Sequence, residues 1–432
     1  MGLNFPNAPT LGQLHPIPPL ANVPVYQWDG EKWVIIASGV SPVYIGDFPP
    51  LNPSNGTLWF NSSNAQLYIY YTDVNSSQWV MIVSAQAPAK LQKNYIINGA
   101  MMISQENGGA GSAAANYYPV DQFVVTYSYA GNVTTHQYAN PTPSGSPYRI
   151  RIIINTADTS VAASDYFILY QAIEGQRIAD MRFGSPAAKT FTLQFGVKAP
   201  AGTYCVTFAN AAVNRSYVAE YTISAGEANN DVVKSITVAG DITGTWVTDN
   251  TQGLNVYWCL MAGTTFQKTA DAWGAGNVFG SANQFNCMGQ TASPFELFDV
   301  SLTEGTVAPP FTVPDYASEL QACQRYFETW PLSLGAYTPI GTGIAASTTT
   351  AYVNVMFKTK RAAPTLVISS PNDFMVWGGG AAGYGVTALS ISAIDLASAT
   401  LSVTSGSMIA NQATALLRNA SQPSKLAFSA RL

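Results

Sequence analysis

The sequence predicts an all-β protein: a small Trp-rich N-terminal β module, a central two-sheet jelly-roll sandwich, one connecting α-helix and a C-terminal β-sandwich domain. Short runs of alternating apolar and polar residues recur along the chain, the period of half-buried strands. Clusters of Gly, Asn, Asp and Ser punctuate them at the spacing of a sandwich. Helical spacing stands out in one stretch, "PDYASELQACQRYFETWP", residues 314–331.

Residues 1–23 hold five prolines. Proline fixes φ and donates no backbone hydrogen bond, so this segment reads as an extended arm that needs a partner surface to order it. Residues 24–84 contain two similar hairpins. In "VYQWDGEKWVII", Asp29-Gly30 is a hairpin turn between Trp-bearing strands. In "GTLWFNSSNAQLYIYYTDVNSSQWVMI", Leu58–Phe60 and Leu67–Tyr71 flank an Asn/Ser turn, and a turn over Asp73–Ser77 leads to Trp79-Val80. A module of this size buries little surface alone, so it is expected to pack against copies or a neighbour. Small residues over 85–93 read as a linker.

Residues 94–313 form the long β block. Strands are expected over 122–129, 148–154, 166–172, 190–197, 203–209, 217–223, 232–238, 254–260 and 295–302. Residues 314–332 are the connecting helix: Asp315 is suited to the N-cap, Glu319 to the first turn, and Pro331 stops it. Tyr316, Leu320, Cys323, Phe327 and Trp330 step by four, three, four and three, which puts them on one apolar stripe. A helix of about 15 residues is marginal alone in water, so the stripe is expected to dock on a β domain or on sister helices at a symmetry axis. Residues 333–432 return to β. Within them "WGGGAAGYG" lacks the strand-to-helix context and Lys-Ser/Thr ending of a phosphate loop and reads as an exposed loop.

Composition excludes several classes. Charged residues are 10% of the chain, against ~25% in an ordinary soluble domain, so Ser, Thr, Asn, Gln and Gly must carry the surface. Net charge is −5 and no basic face is visible, so nucleic acid is not an expected partner. The densest basic group, Lys358, Lys360 and Arg361, reads as a solvated strand end. Cys205, Cys259, Cys287 and Cys323 show neither zinc nor disulfide-framework spacing and read as buried thiols. His15 and His136 are the only histidines, which leaves little for a Ser-His or Cys-His mechanism. No cofactor is expected. The opening residues lack the basic and apolar regions of a secretory signal, and no apolar run is long enough to span a membrane.

The residues also carry a resemblance. "LQKNYIINGAMMISQENG", with Asn94, Ile96, Asn98 and Gly99, resembles the opening of phage and prophage tail-fibre-type receptor-binding proteins with a carbohydrate-binding-module-like jelly roll. "YYPVDQF" is similar to their Tyr-x-x-Asp-x-aromatic element through Tyr118, Asp121 and Phe123. "RFGSPAAKTFTLQFGVKAPAGTYCVTFAN", "RSYVAEYTI" and "ELFDVSLTEGTVAPPF" resemble their central and closing strands. "LQACQRYFE" resembles the helix that follows, and "FKTKRAAPTLVI" and "LAFSARL" the distal β domain. "GTLWFNSSNAQLYIYYTDVNSSQWV" resembles a short Trp-rich repeat near the N-terminus of fibre and adhesin proteins. The resemblance implies a virion protein, made in the host cytoplasm. Its arm would attach to other virion proteins, and its β domains would bind a host cell-surface glycan. It also implies a homotrimer. Asp299 stands where related modules carry a calcium ligand, but is read here as a structural surface Asp.

Sugars stack on aromatic rings, with amides and carboxylates fixing hydroxyls. Candidate platforms are Trp246, Trp273, Tyr117, Tyr118 and Trp258. Trp246 and Trp273, in the loop contexts "DITGTWVTDN" and "TADAWGAGN", are the leading pair. Two other readings stay open. A polysaccharide-depolymerising tailspike enzyme needs two carboxylates about 5–10 Å apart, but the acidic residues are dispersed and β-helix repeats are not visible. A purely structural head-fibre, collar or decoration protein needs neither carboxylate pair nor platform.

Overall fold

A computed structural model describes residues 5–16, 25–37, 43–63, 66–82, 93–330, 337–378, 383–406, 408–419 and 425–432. The chain divides into two compact units, Met1–Leu91 and Gln92–Leu432. The linker expected over 85–93 lies outside the described residues except for Lys93.

In the first unit, Leu14–His15, Val25–Trp28 and Trp33–Ala37 form an antiparallel three-stranded sheet. Asp29 sets the turn: its Oδ1 accepts the N–H groups of Glu31 at 2.9 Å and Lys32 at 2.8 Å. The described part of the expected arm is therefore not free-standing. Leu14–His15 pairs with the hairpin, and Phe5 stacks on Trp33 with centroids 5.1 Å apart. Phe5 and His15 add their rings to Tyr26 and Trp33 of the hairpin. A second sheet places Val43–Gly46 parallel to Leu58–Asn61, followed by Gln66–Thr72 and Ser77–Met81. Trp59 is its anchor, buried between Tyr68 and Trp79 and donating its indole N–H to the Gly46 carbonyl at 3.0 Å.

The second unit opens with a sandwich. One sheet runs Asn132–Ala139, Tyr148–Thr156, Phe295–Glu304, Phe191–Lys198, Val232–Val238. The other runs Trp273–Gly274, Ser216–Ile223, Gly202–Asn210, Gln252–Ala262, Tyr166–Glu174, Phe123–Ser128, Tyr117–Val120. Each of the nine strands expected in this block is present. Between the sheets Phe123, Phe167, Phe191, Phe195, Phe208, Trp258 and Phe295 are fully buried. The opening Asn98-Gly99 locks on to this core. Asn98, at φ +60°, donates through Nδ2 to the carbonyls of Ile103 and Asp121, and a Cβ on Gly99 would lie 2.1 Å from the Val300 carbonyl oxygen.

Several charged residues are internal, Arg149 and Asp299 among them. Arg149 is fully buried and its guanidinium meets Asp231 at 2.8 Å and Glu296 at 2.9 Å, pairing that burial of a charge requires. Asp299, expected on the surface, is 3% exposed. It sits at φ +49° where the ladder to Phe191–Lys198 shifts register, and it accepts the Ser146 hydroxyl at 2.5 Å. The bulge turns its side chain inward, which strand alternation alone would not indicate.

The helix is shorter than its apolar spacing suggests. It spans Tyr316–Gln324, with the Asp315 carboxylate accepting the Ser318 N–H as cap. Arg325 ends it, and the chain re-enters β structure at Phe327–Thr329. The stripe is therefore split. Tyr316 is 57% exposed, whereas Leu320 and Cys323 pack on Ile97 and Ile103 of the sandwich opening. Phe327 is buried on the strand, and Trp330 packs against the core of the C-terminal domain. Tertiary pairing to Leu426–Ser429 overrides helical continuation.

That C-terminal domain closes on itself. Pro339–Ala345, Thr350–Met356, Ser398–Ser405, Gly383–Ile394, Phe374–Gly378 and Ala413–Arg418 form a closed barrel, in that order around it. Closure removes the exposed strand edges an open sheet would carry. A separate sheet of Phe327–Thr329, Leu426–Ser429 and Thr365–Ile368 links barrel to sandwich. Of the basic trio Lys358 is exposed, as expected of a solvated strand end, but Lys360 and Arg361 are not. Lys360 is buried, with Nζ donating to the Gln324 carbonyl and to Glu328, both at 2.6 Å. Arg361 donates to the carbonyls of Asn250, Ala430 and Arg431, binding sandwich and chain terminus together.

Phe327 lies under the Arg431 guanidinium, 3.9 Å from its ring centre. Phe327→Ala is expected to lower stability by about 3–5 kcal/mol in chemical denaturation; an unmoved midpoint would mean the ring adds nothing to the junction. A second prediction concerns Asp121, whose carboxyl burial pushes up to about 6 although Gln105 donates to both its oxygens. Unfolded, an Asp ionises near ~3.9. Between those values the folded state holds the extra proton, so this group lowers stability as pH rises from about 4 to about 6, with the full penalty above. Asp121→Asn should flatten that part of the stability profile relative to the parent; an identical slope would refute it.

Candidate functional site

Trp246 and Trp273 come together at the edge of the seven-stranded sheet. Trp273 is on the edge strand that pairs with Ser216–Tyr217. Trp246 is on the loop beyond Gly244, whose φ of +81° and lack of a side chain let the loop lie against the Arg215 stem. The indoles stand 5.6 Å apart at 89°. Phe183 packs 4.8 Å from Trp246, and Tyr217 packs 5.4 Å from Trp273. Both indole N–H groups are tied inward, Trp246 to the Thr243 carbonyl at 3.2 Å and Trp273 to the Ala239 carbonyl at 2.7 Å. Those bonds hold the rings, which remain half-buried, in fixed orientations.

Beside them Arg215 forms a two-pronged pair with Asp241, Nε to Oδ2 at 2.8 Å and Nη2 to Oδ1 at 2.6 Å. Burial raises the Asp241 carboxyl, but the hydrogen bonds from Arg215 and Thr243 more than offset this and hold it below the usual carboxylate range. Asp241 is thus ionised and spoken for, while Arg215 Nη1 has no protein partner among the described residues. The corner therefore offers two rigid indoles and a guanidinium N–H. It can stack apolar ring faces and donate to a hydroxyl or carbonyl oxygen.

The other candidates sit elsewhere. Trp258 is fully exposed to the core and not to solvent, wedged against Phe123 and Phe195. Tyr118 lies beneath Arg431, whose guanidinium carbon is 3.7 Å from the ring centre, and belongs to the sandwich–barrel junction. Tyr117 is half-buried and donates its hydroxyl to the Ala110 carbonyl. Trp258 and Tyr118 are thus structural, because strand alternation in a two-sheet fold sends one face into the core or junction. All four cysteines are buried and free. Among the described residues no group of three or more His, Cys, Asp or Glu side chains could hold a metal ion, and no helix is long and apolar enough to cross a membrane.

One surface was not anticipated from the sequence. Trp377, at the end of Phe374–Gly378, is 51% exposed on the outside of the barrel. It overlooks a hollow of about 700 Å³ lined by Thr342, Gly343, Asn354, Gly378, Ala413, Thr414 and Ala415. The signal was available: Phe374 and Val376 alternate inward, which turns Trp377 outward just before the glycine run. Residues 379–382 of that run lie outside the described residues.

No protein-family model and no curated protein matches this chain. Among solved structures, the enzymatically active domain of bacteriophage CBA120 tailspike protein 4 aligns over 49% of this chain and 21% of its own length, at 10% identity and a TM-score of 0.26. The family 11 carbohydrate-binding module of Clostridium thermocellum cellulase Lic26A-Cel5E aligns over 47% and 99%, at 11% identity and 0.23. TmCBM61, solved with β-1,4-galactotriose, aligns over 49% and 99%, at 10% identity and 0.25. This chain spans about a fifth of the tailspike domain. Likenesses at these scores assign neither family nor ligand.

Proposed function

We propose that this chain is a non-catalytic, glycan-binding fibre protein of a virus particle, joined to other virion proteins by its N-terminal unit and presenting its second unit to the host surface. The observation that carries the glycan reading is the Trp246–Trp273 corner. Two indoles fixed by backbone hydrogen bonds, half open to solvent and beside a free guanidinium N–H, suit the alternation of apolar faces and hydroxyl edges on a pyranose. The sparsely charged surface supports an exposed particle component, because few groups on it titrate or are screened by salt. The virion role and the homotrimer come from the sequence resemblance. Sedimentation equilibrium tests the trimer directly, and a stable monomer at micromolar concentration would reject it.

Glycan binding is tested with the full chain on immobilised host-envelope polysaccharides, with reducing-sugar release measured in parallel. The expected result is binding without release. Trp246→Ala and Trp273→Ala should each weaken binding about tenfold or more, the scale of a lost aromatic platform of about 1.4 kcal/mol, while the circular dichroism spectrum is unchanged. Undiminished binding in both variants would remove the corner from the reading, and reducing-sugar release would replace the binding protein with an enzyme.

A further inference from the structure

We infer that the outer face of the C-terminal barrel carries a second saccharide site, a trough walled by Trp377 on one side and Asn354 on the other. The inference takes its ligand class from the preceding reading but concerns a separate site, so either can fail alone.

Register builds the trough. Trp377 pairs with Ala415, Ala415 with Thr342, Thr342 with Asn354, and Asn354 with Thr400. Residues directly opposite each other on neighbouring strands share a face of the sheet. Their immediate neighbours Val376, Leu416, Val353 and Val355 are buried in the barrel core, so this row points outward. Its profile is a large ring, a methyl group, a hydroxyl and an amide. Three strand spacings of ~4.8 Å along the curved barrel wall lie between the indole and the amide, and both side chains line the same hollow. Ala413 continues the low floor towards the next row. Gly343 pairs with Val353 and Gly378 with Thr414, both buried, so these two glycines belong to the inward row and meet the hollow with backbone alone. Ala413 and Ala415, with only methyl side chains, keep the outward floor low.

The chemistry of the walls narrows the occupant. No charged side chain lines the hollow, which favours a neutral ligand. Trp377 has no aromatic neighbour stacked on it among the described residues, so its ring is open to a ligand. Asn354 is oriented by Thr400, whose hydroxyl donates to Oδ1 at 2.9 Å. That bond turns Nδ2 out as a donor with no protein partner among the described residues. A stacking ring, an amide donor and the Thr342 hydroxyl across a bare floor are what a short neutral oligosaccharide requires. The volume is within the range of small-ligand sites. Ile344 and Tyr352, 49% and 40% exposed on the next row, border the trough. A second copy of the chain packed on that border is the competing occupant. An uncharged floor with a polar far wall favours the sugar.

The test uses the full chain and neutral tetrasaccharides of glucose, galactose and mannose, followed by saturation-transfer NMR and titration of tryptophan fluorescence. At least one should bind. Trp377→Ala and Asn354→Ala should weaken that binding at least about tenfold and threefold, whereas Trp377→Phe, which keeps a ring, should retain most of it. The Trp246→Ala/Trp273→Ala double variant should keep the Trp377-dependent binding. Trp377 is half exposed, so its loss is expected to leave the circular dichroism spectrum intact. If none of the tetrasaccharides binds, the second site is wrong, whatever the polysaccharide assay shows for the corner. If all binding is lost in the double variant and untouched by Trp377→Ala, the second site is wrong and the corner stands. If Trp377→Ala lowers the sedimenting mass instead, the face is covered by another copy and the proposal is overturned.

Discussion

The second unit is organised around one buried carboxylate. Glu174 ends the sandwich strand Tyr166–Glu174 and receives Arg325 through two hydrogen bonds, Nη2 to Oε1 at 2.6 Å and Nε to Oε2 at 2.9 Å. Tyr326 adds its hydroxyl at 2.7 Å. Glu174 is 3% exposed, so an unpaired charge there would be costly. Satisfying it requires residues 325 and 326 to arrive in one geometry, immediately after the helix. That requirement ends the helix at Gln324 and starts the strand at Phe327. The rest of the junction follows from that strand. Its partner Leu426–Ser429 carries Arg431 on to Tyr118 and Phe327, and Glu106 of the sandwich receives both Lys425 and Arg431 at 2.6 Å. Gln105 spans the same seam, from Asp121 to the Phe327 carbonyl.

A seam of this kind gives the two β bodies of this unit a fixed relation. Leu320 and Cys323 dock the helix on the sandwich opening, and Glu319 accepts the Asn98 N–H. Arg361 ties Asn250 of the sandwich to the last residues of the chain. In the proposed function, the aromatic corner and the barrel trough are then held on one rigid frame. Their spacing is set by folding and not by a flexible link, so a glycan long enough to reach both pays the ordering cost once.

Much of this fold could be read in the sequence, and the failures have physical causes. The nine strands expected in the sandwich are present because each is an apolar-rich run bounded by turn residues, alternating where one face meets solvent and continuous where both faces are packed, as in Gln252–Ala262. Asn132–Ala139 was missed: as an outer strand it buries little, and its sequence NVTTHQYA shows scant apolar signal. The helix stripe was over-extended because Phe327 and Trp330 have the helical period while their burial comes from another sheet. Lys360 looked solvated because its partners, Gln324 and Glu328, are set by the tertiary fold. Of the candidate site, Trp246 and Trp273 stand out in the sequence as indoles flanked by Gly, Asp, Ala and Thr; the structure puts the first on a loop and the second on a short edge strand. Their juxtaposition, and the row from Trp377 to Asn354, depend on register between distant strands, which no local pattern encodes.

The dependence on Glu174 is tested most directly by scanning calorimetry of Arg325→Met in the full chain. Removing the guanidinium leaves a buried carboxylate without its ionic partner, a loss of about 3–5 kcal/mol in comparable sites. The account predicts that the barrel melts ahead of the sandwich, as a separate transition below the parent's temperature. A profile superimposable on the parent's would contradict it.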